Sequence, residues 1–81
     1  MLKTLLELDL REEAEIVSFE GGTIMNRRLE GMGIRQGKKI SRISSQYIRG
    51  PVIVSVDGQQ TAMGRGMVSK LIVKSAEKNG F

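Results

Sequence analysis

Pro51-Val52-Ile53-Val54-Ser55-Val56-Asp57-Gly58-Gln59-Gln60-Thr61-Ala62-Met63 decides the fold class. Val52, Val54 and Val56 alternate with Ile53 and Ser55, so they share one face of a strand. Pro51 is tolerated because it stands at the strand's first position. Asp57-Gly58 is a hairpin signal: both central residues of a type I′ turn need positive φ, and these types adopt it readily. Gln59 to Met63 then returns antiparallel.

Working outward, glycines punctuate the whole chain in the same way, ten in 81 residues and nearly all at segment boundaries. Upstream, Lys39-Ile40-Ser41-Arg42-Ile43 reads as a strand entered through the Gln36-Gly37 turn. Its alternation is faulty, because Ile40 and Ile43 cannot both face inward without a bulge, or without Arg42 pointing partly in; a bulge is favoured. Ser44 to Gly50 reads as a loop. Ala14 to Phe19 alternates well enough for a first strand, broken by Glu20-Gly21-Gly22. Thr23 opens a helix, with its hydroxyl placed to accept from the first-turn amides. Met25, Leu29 and Met32 recur at i, i+4 and i+7 as an apolar stripe read as core, and Gly33 fits a left-handed cap with Ile34 folding back over the last turn. Near the start, Thr4 caps a short turn carrying Leu5, Leu6 and Leu8. Downstream, Gly64 to Ser69 reads as one helical turn and Leu71-Ile72-Val73 as a final short strand. The expectation is a mainly β fold. It is a small barrel of about five antiparallel strands, with one short helix after the first strand and a helical turn before the last.

Composition limits what such a fold can do. At 9.0 kDa the chain is one small domain, and it holds only three aromatics, Phe19, Tyr47 and Phe81, so the core should be aliphatic. With no Cys and no His there is no disulfide, no thiolate or imidazole metal site, and no Ser-His or Cys-His nucleophile arrangement. A metal site would need carboxylates and carbonyls, which suit Mg²⁺ or Ca²⁺. Glu7, Asp9, Glu12, Glu13 and Glu15 do not follow the loop register of a calcium site and read as solvated surface. No apolar run approaches the roughly 20 residues of a membrane helix. Glu7 interrupts the start before a signal-peptide core can form, so a cytoplasmic protein without membrane insertion is expected.

The net charge of +4 is unevenly placed. Carboxylates dominate the first quarter, and Arg27, Arg28, Arg35, Lys38, Lys39, Arg42 and Arg49 follow against Glu30 alone. Such asymmetry steers an acidic partner or nucleic acid. Tyr47 is the one plausible stacking platform, which disfavours nucleic acid.

Arg28-Leu29-Glu30-Gly31-Met32-Gly33-Ile34, Gly37, Gly50-Pro51-Val52, Ala62-Met63-Gly64-Arg65-Gly66-Met67-Val68 and Leu71-Ile72-Val73 together resemble the FeoA family. These are small cytoplasmic proteins that accompany the FeoB ferrous iron transporter. A similar domain ends some metal-dependent repressors. The resemblance runs from about Leu5 to Val73. It implies an SH3-like barrel over residues 1–74, with 75–81 as a tail, and a non-enzymatic accessory role in ferrous iron uptake through contact with the transporter's cytoplasmic GTP-binding domain. Transition metal ion binding enters at the level of the family only, and no cofactor and no metal-ligating residue is assigned to this chain. The sequence departs from the family at Arg11, where many members carry Gly, at Arg42, where an apolar residue is usual, and at Val68, where a small Ala is usual.

Candidate partner-binding residues are Tyr47, Ile48 and Arg49 on the loop, with Arg28 and Arg65. Tyr and Arg are favoured interface anchors, and Ile48 adds apolar area. The plainer alternatives are that the loop folds over one barrel end, that Arg28 caps helix-end carbonyls, and that Gly64-Arg65-Gly66 is a tight turn and not an anion nest. Unpaired strand edges leave room for weak self-association. The alternative functions are a nucleic-acid-binding small barrel and a stand-alone regulatory domain akin to the repressor C-terminal domain.

Overall fold

Asp57 and Gly58 both lie at positive φ, +53° and +82°, and close the expected hairpin. The computed structural model describes residues 2–45 and 50–75. Among these residues six strands form one antiparallel sheet in the order β1-β6-β2-β3-β4-β5. They are β1 Leu2–Thr4, β2 Glu13–Phe19, β3 Lys39–Ser45, β4 Val52–Val56, β5 Gln59–Met63 and β6 Leu71–Ser75. Helix α1, Thr23–Gly31, follows β2, and the single turn α2, Arg65–Val68, precedes β6. The mainly β, SH3-like class is the one expected, with six strands in place of about five. The added strand is β1, which pairs with β6 from Leu2↔Lys74 to Thr4↔Ile72. The end strands β1 and β5 do not pair with each other, so the sheet is open between them.

The core is aliphatic apart from Phe19. Leu5, Leu8, Ile16, Leu29, Ile34, Ile40, Val52, Val54, Met63, Val68, Leu71 and Val73 are all buried. Each such side chain contributes about 1.5–3 kcal/mol on leaving water. No charged side chain is fully buried among the described residues.

Two bulges set which residues reach that core. In β3 the register passes from Arg42↔Val54 to Ser44↔Ile53, so Ile43 is the extra residue, where the faulty alternation required one. In β2 it passes from Ile16↔Val73 to Ser18↔Ile72, so Val17 is the extra residue. That second bulge lets Ile16 and Phe19, three positions apart, both turn inward. Arg42 adopts the other option as well. It is half-buried, and its guanidinium donates to Leu8 O at 2.9 Å and to Leu6 O at 3.4 Å.

Helix α1 ends as its sequence requires and begins differently. Ile34 N–H donates to Leu29 O at 2.9 Å and Gly33 N–H to Glu30 O at 3.0 Å, with Gly33 at φ +87°. These paired bonds satisfy carbonyls that the helix leaves open. At the other end the cap residue is Gly22, and no side chain closes the cap, so Thr23 does not act as expected. The stripe is also less buried than its spacing suggests. Leu29 is inside and Met25 half-buried, but Met32 falls on the C-cap and is 41% exposed. At the start of the chain Glu7 does the capping. Its carboxylate accepts from the Thr4 amide at 2.7 Å and holds a 3₁₀ turn, Leu5–Glu7. Finally, β6 continues past Val73 to Ser75, because Lys74 and Ser75 pair with Glu15 and Ala14.

Candidate functional site

Tyr47, Ile48 and Arg49 lie outside the described residues. The other two expected contact residues sit on separate helices. Arg28 is exposed in the last turn of α1. Among the described residues its guanidinium makes no hydrogen bond, and the expected contact to a helix-end carbonyl is made by Arg35, whose Nε donates to Glu30 O at 3.4 Å. Arg65 is half-buried at the first position of α2. Neither Gly64 nor Gly66 has positive φ, so the alternating backbone of an anion nest is absent there. Instead Gly64 O accepts from Met67 and Val68 N–H at 3.1 and 3.0 Å and opens the helical turn.

Helix α1 presents the more distinctive surface. At 3.6 residues per turn, Leu29 and Met25 point to the sheet, while Arg27, Gly31, Ile24 and Arg28 fall in an outward sector of about 100°. Ile24 stands near the middle of that sector and is 84% exposed. The sequence singled out Arg28 and passed over Ile24. The available signal was that Ile24 is apolar yet off the Met25-Leu29-Met32 stripe.

Between α1 and β2 runs a cavity of about 220 Å³, lined by Ser18, Phe19, Asn26, Glu30, Ile34 and Arg35 among others. Two of its polar side chains, Asn26 and Ser18, are already engaged. Asn26 Nδ2 donates to Gly22 O at 2.9 Å and to Phe19 O at 3.4 Å, and Ser18 Oγ donates to Glu20 at 3.3 Å. The Asn26 bond to Phe19 O ties α1 to the end of β2.

The acidic turn before β2 is held together internally. Asp9 N–H donates to the Glu12 carboxylate at 2.9 Å, and Lys3 Nζ lies 3.4 Å from it. The Asp9 bond, aided by Lys3, holds the Glu12 carboxyl below the ordinary carboxylate range against a smaller opposing effect of burial. Among the described residues no three carboxylates converge as a metal site. None of the described helices is long and apolar enough to cross a membrane.

Comparison with known proteins agrees with this architecture. The family model described as the FeoA domain matches residues 3–75. A protein of Methanocaldococcus jannaschii named for Fe(2+) transport protein A is 39% identical over 69 residues, covering 85% of this chain and 82% of that protein. The crystal structure of an iron uptake regulatory protein, FeoA, is 29% identical with a TM-score of 0.84, covering 94% of this chain and all of that one. FeoA of Stenotrophomonas maltophilia, described as a prokaryotic SH3 domain protein, is 23% identical with a TM-score of 0.73, covers 88% of each chain, and shares the fold. With the sheet, the helix insertion and the match over residues 3–75 in place, the chain belongs to the FeoA family of ferrous iron transport proteins.

Proposed function

We propose that the protein is a non-enzymatic adaptor of ferrous iron uptake, acting in the cytoplasm as a domain of residues 1–74. In this reading it binds the cytoplasmic GTP-binding domain of a FeoB-type transporter and biases that domain's conformation. The observation that carries the proposal is the family match over residues 3–75, which spans every strand from β2 to β6. The contact residues are Arg28 and Arg65, together with Tyr47, Ile48 and Arg49. An interface built on Tyr, Ile and Arg suits a surface-presenting module, because such residues supply anchor area and bidentate hydrogen bonding without a deep pocket. Isothermal titration of the full chain against the purified cognate domain, with GDP and with a non-hydrolysable GTP analogue, tests it. Saturable 1:1 binding with a nucleotide-dependent affinity is the expected result. No heat and no co-sedimentation at high micromolar concentrations in either nucleotide state would refute it.

A further inference from the structure

Ile24 is 84% exposed, against 60% for Leu2, 59% for Leu10 and 41% for Met32. The fold gives no reason for it. An isoleucine on the solvent side of a helix loses side-chain freedom, buries nothing, and forms helix less readily than Lys, Glu or Ala. Its neighbours are equally specific. Arg27 and Arg28, at i+3 and i+4, flank it on either side of the same outward sector. Both are exposed, and neither makes an ion pair among the described residues. Gly31, about two turns from Ile24 in the same sector, adds no side chain to this face, a Cβ there meeting nothing within 4 Å, and Met32 at the C-cap is 41% exposed. The one carboxylate of α1, Glu30, lies off this sector, about 120° around the helix from Ile24.

We infer that this face of α1 is the centre of that contact surface, and that its occupant is an acidic protein surface with an apolar hollow. Ile24 enters the hollow, and Arg27 and Arg28 each meet a carboxylate at its rim. The inference rests on the adaptor reading and specifies its surface. Charge argues for that occupant. Two guanidinium groups without described counterions on one helical turn form a positive rim around an apolar centre, and the complement is an apolar centre with a negative rim. Residue type supports a protein partner. Guanidinium is more weakly hydrated than ammonium and pairs with carboxylates in a planar fork, so it loses less than lysine would when water leaves an interface. The face is also pre-organised. The paired bonds of Ile34 and Gly33 fix one end of α1, and Asn26 ties its first turns to Phe19 O, so little ordering remains for docking to impose.

The test uses the full chain and the cytoplasmic GTP-binding domain of the cognate transporter as probe. Isothermal titration compares the parent protein with Ile24→Ser, with Arg27→Glu/Arg28→Glu, and with Lys39→Glu as a control on the exposed surface of β3. Ile24→Ser should weaken binding by about tenfold or more, as expected of a central apolar anchor. The double charge reversal should weaken it further and remove most of its salt dependence. Lys39→Glu should stay within about threefold. Amide chemical-shift mapping on the parent protein gives the same answer without substitution: the largest shifts should fall on residues 24–32. Parent binding with both α1 variants unimpaired, or shifts confined elsewhere, would overturn this surface and leave the adaptor reading standing. No binding by the parent would remove both. Two further outcomes would also overturn it. One is Ile24-dependent sedimentation with phosphatidylserine vesicles, which assigns the face to a membrane. The other is a dimer that dissociates in Ile24→Ser, which assigns it to a second copy of the chain.

Discussion

Among the described residues two turns hold a non-glycine residue in left-handed backbone, and they do so by opposite means. Between β4 and β5 the conformation falls on Asp57 and Gly58, types that adopt it at little cost. Before β2 it falls on Arg11, at φ +67°, in a turn closed by Glu12 N–H donating to Asp9 O at 3.1 Å. Arginine has no local means of relieving the crowding of its Cβ there. The conformation is imposed from outside. Arg11 N–H donates to Arg42 O on β3 at 2.6 Å, and the Arg42 guanidinium binds Leu8 O just before the turn. One turn is specified by the two residues in it, and the other by a strand far along the chain. Arg11 thus holds left-handed backbone without a glycine because Arg42 grips the turn through both its carbonyl and its guanidinium.

The comparison breaks most sharply at Arg42. Arg42→Ala leaves two carbonyls without their charged donor and should cost about 2–3 kcal/mol, a fall of about 10 °C or more in Tm. A loss below about 0.5 kcal/mol in urea unfolding would mean that the N-terminal turn supports itself. Next in size is Gly58→Ala. A Cβ at Gly58 meets nothing within 4 Å, so the expected cost of about 1–2 kcal/mol is one of backbone conformation alone. Arg11→Gly should act in the opposite direction and stabilise by about 0.5–1 kcal/mol, since relief of the left-handed strain exceeds the added freedom of the unfolded chain. An Arg11→Gly protein less stable than the parent would show that the side chain itself holds the turn.

The smallest effect is on pH dependence. The folded Glu12 carboxyl titrates below its ordinary value of 4.5. Its contribution to stability is therefore complete above that value and is lost as pH falls through it toward the folded pKa. Glu12→Gln should flatten this part of the acid limb of the stability curve, as read by thermal melts from pH 6 to pH 3, and should leave the slope above pH 6 unchanged.

The same contrast accounts for what the sequence reveals. The β4–β5 hairpin, the Gly33 end of α1 and the Ile43 bulge are legible because each is forced by residues in place. The valine alternation, a glycine after the last apolar residue, and two isoleucines out of phase all point one way. The Val17 bulge is not legible, since Ile16, Val17 and Phe19 are all apolar and either register places a hydrophobe inside. Strand β1 is hidden for a different reason: three residues running straight into a 3₁₀ turn carry no period, and their partner lies at the far end of the chain. At the candidate site, charge drew notice to Arg28, while Ile24 shows its character only once the helix is packed and the side left outside is known.

The pairing of Leu2 with Lys74 has a consequence for the order of assembly. Among the described residues strand β1 has no neighbour except β6, and β2 needs β6 on one side, so residues 2–4 cannot be locked until β6 is made. During synthesis the β3-β4-β5 meander can form early from local contacts. Strand β1 instead waits for β6, because their pairing spans the longest sequence separation in the described sheet. Of the six described strands, the last to be made is thus the one that secures the first.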